Sequence, residues 1–299
     1  MNISKIVIGT AQMGFNYSIT KNKLFSSKKK IKEIFTYAKK NKIKFLDTAM
    51  NYGDAQKKIG YFDKKKEFKV ITKLSKIGNI PLTKLENVVK KKIFKTLKDL
   101  KRNSIDILLI HNFEDVYLNK GKLLSILHNF KKKKIIKIIG VSVYSPKEAS
   151  YCIKQKEVNF LQIPFNILDQ RWKNKDFLIN LKKRKDVIIQ VRSIFLKGLI
   201  LNNYKLWPSS IKRSKQIVEK IEKLVIQLKR KNKIDLCLSY INSFKWINFI
   251  TVGVDDVVQL KEIVKFRYAK KMFLSEKKTI YNHFKQLNDR VLIPTRWSN

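Results

Sequence analysis

Eight short apolar runs, each followed by a stretch with helical spacing, constrain this chain more than any other feature. They fall near residues 3–9, 43–47, 68–73, 105–110, 136–141, 159–163, 186–191 and 248–252, and IKFLD, FKVITK and IDILLIH show their β-branched and apolar character. Runs without polar alternation suit strands buried on both faces, as in a parallel sheet. Eight of them alternating with helices in 299 residues predict an α/β protein of one domain, residues 1–299, closed as a (β/α)8 TIM barrel. No linker, repeat or Gly/Ser/Pro-rich stretch marks a second domain.

Helix starts fit this frame. Thr83 to Glu86 and Ser145 to Glu148 read as capping boxes, the second with Pro146 at the first helical position. The seventh and eighth runs are far apart, and the interval holds WPSS and then a segment with Ile217, Ile221, Leu224, Val225 and Leu228 at helical spacing. Beyond about residue 268 the sequence predicts a terminal helix over KKTIYNHFKQL and a short extended end containing Trp297.

Chemistry-bearing residues sit at or just past the ends of three successive runs. These are Asp47 and Tyr52 in LDTAMNYG, Lys73 in VITKL and His111 in IDILLIHN. Adjacent barrel strands bring their C-terminal ends together, so an acid, a phenol, an amine and an imidazole converge there, and the chain reads as an enzyme that moves protons. Singly, each residue also suits a structural role: a turn acid, a packed loop-corner Tyr, one Lys among many, a satisfied core imidazole. Their joint occurrence in order at strand ends favours catalysis.

The charge points elsewhere. Lys and Arg total 67 against 23 Asp and Glu, a formal net charge of +44, which would suit nucleic acid or an anionic surface. Only nine of the 67 are Arg, and the lysines are dispersed over nearly every helix-like segment. Direct recognition of nucleic acid favours clustered Arg with aromatic stacking. We therefore expect no specific nucleic-acid partner, only salt-dependent adsorption. Cys152 and Cys237 stand far apart with no neighbouring His or Cys, which predicts neither a disulfide framework nor a metal site. No run approaches the roughly 20 apolar residues of a membrane span, and the N-terminal run is too short for a signal peptide, so a cytoplasmic protein with no membrane partner is expected.

GTAQMG, LDTAMNYG, ITKL, LLIHN, GVSVY and VGVDDVVQLKE occur in an order and spacing that resembles the aldo-keto reductase superfamily over nearly the whole chain. The GTAQ opening and RSIFLKGLIL resemble a bacterial branch associated with surface-sugar biosynthesis. The resemblance implies NAD(P)H-dependent reduction of a small-molecule carbonyl, with the cofactor extended across the barrel mouth and no GxGxxG motif. Tyr52 would be the proton donor, Lys73 would lower its pKa, Asp47 would hold Lys73, and His111 would orient the carbonyl.

Cofactor contacts implied by the resemblance are Gly9 and Thr10 after the first strand, Asp47, Ser142 and Gln162 on the carboxamide, Asn166, Arg192, Ser193, Leu196 and Gly198 along the ring and pyrophosphate, and Gly253, Asp255 and Gln259 after the eighth strand. Val143 follows Ser142 where many relatives have Asn, Arg192 stands where many have an aromatic, and Gln259 where many have Arg. The family favours NADP(H) over NAD(H), whereas Asp255 and Asp256 would repel a 2′-phosphate. The long interval before the eighth strand would line the cofactor side. Met13, Phe15, Tyr17, Met50, Phe113 and Trp207 are the expected pocket walls, suited to a sugar or sugar-nucleotide carbonyl. Two other readings stay open: a nicotinamide-nucleotide-binding regulatory protein on the same fold, and a basic nucleic-acid-binding protein.

Overall fold

The computed structural model describes residues 4–14 and 27–297. Eight parallel strands form a closed barrel in sequence order: β1 (Ile6–Gly9), β2 (Phe45–Asp47), β3 (Lys69–Leu74), β4 (Ile105–Ile110), β5 (Ile136–Ser142), β6 (Phe160–Pro164), β7 (Ile188–Arg192) and β8 (Phe249–Gly253), with β8 pairing back onto β1. The predicted strands agree to within three residues at every boundary.

Two-residue periodicity sorts the side chains. Val7, Phe45, Ile71, Ile107, Leu109 and Phe160 form an inner apolar cluster, while a second, larger core fills the space between sheet and helices. The helix Leu82–Leu100 shows how the outer core is built. Leu85, Val89, Ile93, Thr96, Leu97 and Leu100 are buried along one face, and its lysines occupy the other.

Several predicted boundaries shift. The Thr83 capping box is not formed, because Pro81 is the N-cap residue and the helix has already begun at Leu82. At the second box Ser145 Oγ accepts from the Glu148 N–H at 3.2 Å with Pro146 in the first turn, but the Glu148 carboxylate accepts from Tyr144 N–H, one residue before the box position. The terminal helix is Leu274–Phe284, starting earlier than predicted since Glu276 accepts from the Phe273 N–H. The end before Trp297 is not extended: it holds a turn of α-helix, Asp289–Leu292, and a 3-10 turn, Pro294–Arg296.

The long interval between β7 and β8 contains two helices, Ser214–Gln227 and Lys233–Asn242. Ile217, Val218, Ile221 and Leu224 of the first are buried. None of its residues lines the cavity described below; Ile234 of the second helix does.

Candidate active site

Two residues beyond the inner apolar layer, the same inward face turns polar at the C-terminal ends of the strands. Phe45 is followed by Asp47, Ile71 by Lys73, Leu109 by His111, Phe160 by Gln162, and Phe249 by Thr251. The pleat thus carries the acid, amine, imidazole and amides to one end of the barrel. Register fixes the neighbours: Gly9 lies beside Asp47 and Gly253, Ser142 beside Gln162, and Gln162 beside Gln190.

Asp47 and Lys73 form a buried ion pair, with side chains only 6% and 1% exposed. The Lys73 ammonium also donates to Thr48 O at 2.9 Å. The second carboxylate oxygen of Asp47 accepts from Gln162 Nε2 at 2.9 Å, and the same amide donates to Gln190 Oε1 at 2.9 Å. Gln190 Nε2 continues the chain to Thr251 Oγ1 at 2.5 Å, and Ser142 Oγ closes on Gln162 Oε1 at 3.5 Å. Four polar side chains and an ion pair therefore cross the barrel from β8 to β3 as one network. Buried charges need this degree of satisfaction to be tolerated.

Tyr52 stands over this network on the loop after β2. Lys73 Nζ lies 5.0 Å from the centroid of its ring, and the His111 ring sits edge-on at 6.2 Å between centroids. Gly14 and Gly53 hold the loop: Gly53 has φ +50°, and a Cβ at Gly14 would overlap the carbonyl oxygen of Tyr52. Burial, and then the charge of Asp47, push the Tyr52 phenol above its ordinary pKa, while Arg192 pulls the other way. The predicted lowering by Lys73 is not what the structure shows, since the ammonium is matched by Asp47 at close range. His111 is pushed down to about 3 by burial, with Lys73 and Arg192 adding to the effect, so its imidazole is neutral at pH 7.

A cavity of about 370 Å³ opens beside this group. It begins at Tyr52 and Asp47, passes Gly9, Thr10 and Gly253, follows Arg192, Ser193, Lys197 and Gly198, and reaches Asp255, Gln259 and Glu262. The loop after β7 bends through positive φ at Ser193, Leu196, Lys197 and Gly198, a conformation that exposes backbone N–H groups. Gly253 leaves space for Gln12, whose Nε2 a Cβ would meet at 2.6 Å. An elongated cavity with an amide-rich polar end, a backbone-lined middle and a helix start at its far end fits a dinucleotide.

Of the expected contacts, Gly9, Thr10, Asp47, Arg192, Ser193, Gly198, Gly253, Asp255 and Gln259 line this cavity. Ser142, Gln162, Asn166 and Leu196 do not. The first two are buried in the network under Asp47. Asn166 is engaged with Ser193 O and Leu168 N–H, and Leu196 is fully buried. Among the expected pocket walls, Phe15 and Tyr17 lie outside the described residues, and Met13, Met50, Phe113 and Trp207 do not line the cavity. Trp207 is instead buried, with its indole N–H on Leu199 O.

Gln12, Lys197, Asn202, Glu262, Gln190 and Thr251 were not anticipated as site residues. For Gln190 and Thr251 a signal existed: each lies two positions before an expected contact, on the same face of the strand. Among the described residues no group of three or more His, Cys, Asp or Glu is placed to hold a metal ion, and no helix is long and apolar enough to cross a membrane.

Residues 5–277 match the aldo/keto reductase family. Two solved structures show the same barrel. The aldo-keto reductase AKR11C1 of Bacillus halodurans in its holo form superposes with a TM-score of 0.75 at 15% identity, over 100% of this chain and 96% of that one. The glycerol dehydrogenase AKR11B4 of Gluconobacter oxydans superposes with a TM-score of 0.72 at 17% identity, over 98% and 94%. No curated protein matches the chain in sequence.

Proposed function

Because the chain belongs to the aldo/keto reductase family, we propose that it reduces an aldehyde or ketone to the alcohol, with Tyr52 delivering the proton. The supporting observation is the phenol of Tyr52, held protonated by burial at the mouth of a cavity it shares with Arg192 and next to a neutral His111. Aldo-keto reductases use nicotinamide cofactors, and a bound one supplies the hydride.

As negative charge grows on a carbonyl oxygen, a proton donor must stand within hydrogen-bond reach. Neutral Tyr52 fills that role, and neutral His111 offers a ring N–H to the same oxygen. The phenolate left behind needs a cation. Lys73 is adjacent but compensated by Asp47, so Arg192, whose charge lowers the phenol pKa, supplies the balance. Asp47, Gln162 and Gln190 fix Lys73 in place from across the barrel.

Gly9, Thr10, Ser193, Gly198 and Gly253 would hold the cofactor backbone. At the far end, Asp255 and Glu262 line the cavity, and Gln259 is tied to Asp255 by two hydrogen bonds, at 2.9 and 3.3 Å. A carboxylate suits a ribose hydroxyl and opposes a 2′-phosphate. This lining supports NAD(H), against the NADP(H) preference that the family resemblance suggests. A sugar carbonyl is the substrate class we favour, given the hydroxyl and amide groups around the mouth.

Tyr52→Phe tests the assignment. Turnover of every carbonyl should fall by at least about 1000-fold while saturable nicotinamide-nucleotide binding, read by Trp fluorescence, persists. Turnover near the wild-type rate would overturn it.

A further inference from the structure

Arg192 differs from the other arginines of the interior. Arg102, Arg171, Arg184 and Arg230 are each matched by a carboxylate at 2.6–2.8 Å. Among the described residues Arg192 has no carboxylate within 4 Å. Its two hydrogen bonds are long, 3.4 Å from Nη1 to Ser193 Oγ and 3.5 Å from Nη2 to Val143 O. A guanidinium carries five N–H donors, so most of its capacity is unspent.

Its position is nevertheless fixed. The guanidinium carbon lies 4.4 Å from the centroid of the Tyr144 ring, and the side chain forms part of the wall of the cavity that holds Tyr52 and Asp47. Its charge is felt at both Tyr52 and His111. The carboxylate nearest the chemistry, Asp47, is already taken by Lys73. In a chain with nine arginines among 67 cations, a planar fork stands where a lysine would have supplied charge alone.

Resting on the reductase reading, we propose that Arg192 binds an anionic group of the carbonyl substrate, a carboxylate or a phosphate, and so selects anionic over neutral carbonyl compounds. A guanidinium stacked on an aromatic ring, with unspent donors facing a cavity, is preorganised for bidentate capture of such a group. Capture also places the carbonyl next to Tyr52 and His111.

The test compares matched pairs: glyceraldehyde with glyceraldehyde 3-phosphate, and butanal with succinic semialdehyde. We expect wild-type kcat/KM to favour the anionic member of at least one pair by about 10- to 100-fold, the range of one charge-assisted bidentate contact. Arg192→Met should bring that ratio close to unity. Arg192→Lys should keep part of it, showing that the loss is not misfolding. Lys91→Met, which removes the same charge from an exposed helix position, should leave the ratio unchanged and so exclude the general field of the +44 chain. The proposal is overturned if the wild type shows no preference, if the preference survives in Arg192→Met, or if that variant loses cofactor affinity with the ratio intact, which would assign the guanidinium to cofactor phosphate. If the wild type reduces none of the four compounds, the reductase reading itself fails and takes the proposal with it; that result differs from turnover without preference.

Discussion

Gln162 Nε2 donates to Asp47 Oδ2 at 2.9 Å across the barrel, linking β6 to the ion pair held by β2 and β3. The contact converts a residue that resembles a carboxamide ligand into one that positions the catalytic carboxylate. Gln162→Leu would leave an Asp47 oxygen and Gln190 Oε1 without their donor. Losing a buried hydrogen bond to a charge costs about 1–3 kcal/mol, so the urea midpoint should fall. We also expect kcat to drop by about tenfold with cofactor affinity little changed. A drop confined to cofactor affinity would return Gln162 to the role the resemblance gives it.

The Asp47 and Lys73 pair makes a different kind of prediction. Lys73 is 1% exposed, and Lys73→Met would strand the Asp47 charge in the barrel, which costs about 3–5 kcal/mol. Removing both charges in Asp47→Asn with Lys73→Met should recover most of that stability without recovering turnover. Chemical denaturation of the two variants, read beside their activities, separates the pair's contribution to folding from its contribution to chemistry. Equal stability of single and double variants would show that the stranded charge finds solvent.

Asp47 and Lys73 were legible in the sequence because strand ends expose the side-chain alternation directly, and because LDTA, the Tyr and the strand-end Lys and His keep their order. Helix ends were harder to read. The chain has nine glycines, and at Lys42, Lys66, Lys101, Lys134 and Lys229 a lysine takes the left-handed conformation that Gly or Asn would otherwise announce. The division of roles among Ser142, Gln162 and the cavity wall was not legible at all. All share the strand-end face, and which amide turns to Asp47 and which to the cavity depends on the closure of the barrel, a relation between β2 and β6 separated by 115 residues.

Titration of His111 gives a stability signature. Its folded pKa of about 3 lies below the ordinary 6.5, so between these values the unfolded chain binds more protons than the folded one. Its contribution is fully present above pH 6.5 and is lost as pH falls toward 3. The slope from this group approaches about 1.4 kcal/mol per pH unit within that window. His111→Gln should flatten the wild-type fall in urea midpoint between pH 6 and pH 4. Tyr52 acts at the other extreme: its raised pKa means stability is lost above pH 10, where the unfolded phenol ionises first. An unaltered acid slope in His111→Gln would show that the imidazole is reached by solvent and titrates normally.

Cofactor choice rests on the far end of the cavity, where Asp255 and Glu262 contribute carboxylates and Gln259 is held by Asp255. A 2′-phosphate placed there meets like charge, whereas a ribose hydroxyl can donate to the same oxygens. The surrounding lysine excess acts at longer range and is screened beyond about 8 Å at physiological salt, so the nearer carboxylates decide. Wild-type protein should bind NADH more tightly than NADPH, by about tenfold, in a fluorescence titration at 0.15 M salt. Asp255→Asn combined with Gln259→Arg should invert the order by removing a repulsion and adding a bidentate phosphate partner. Lowering the salt should narrow the wild-type gap, because the positive field of the whole chain then reaches the phosphate. Tighter NADPH binding by the wild type at every salt concentration would show that this field outweighs the two carboxylates.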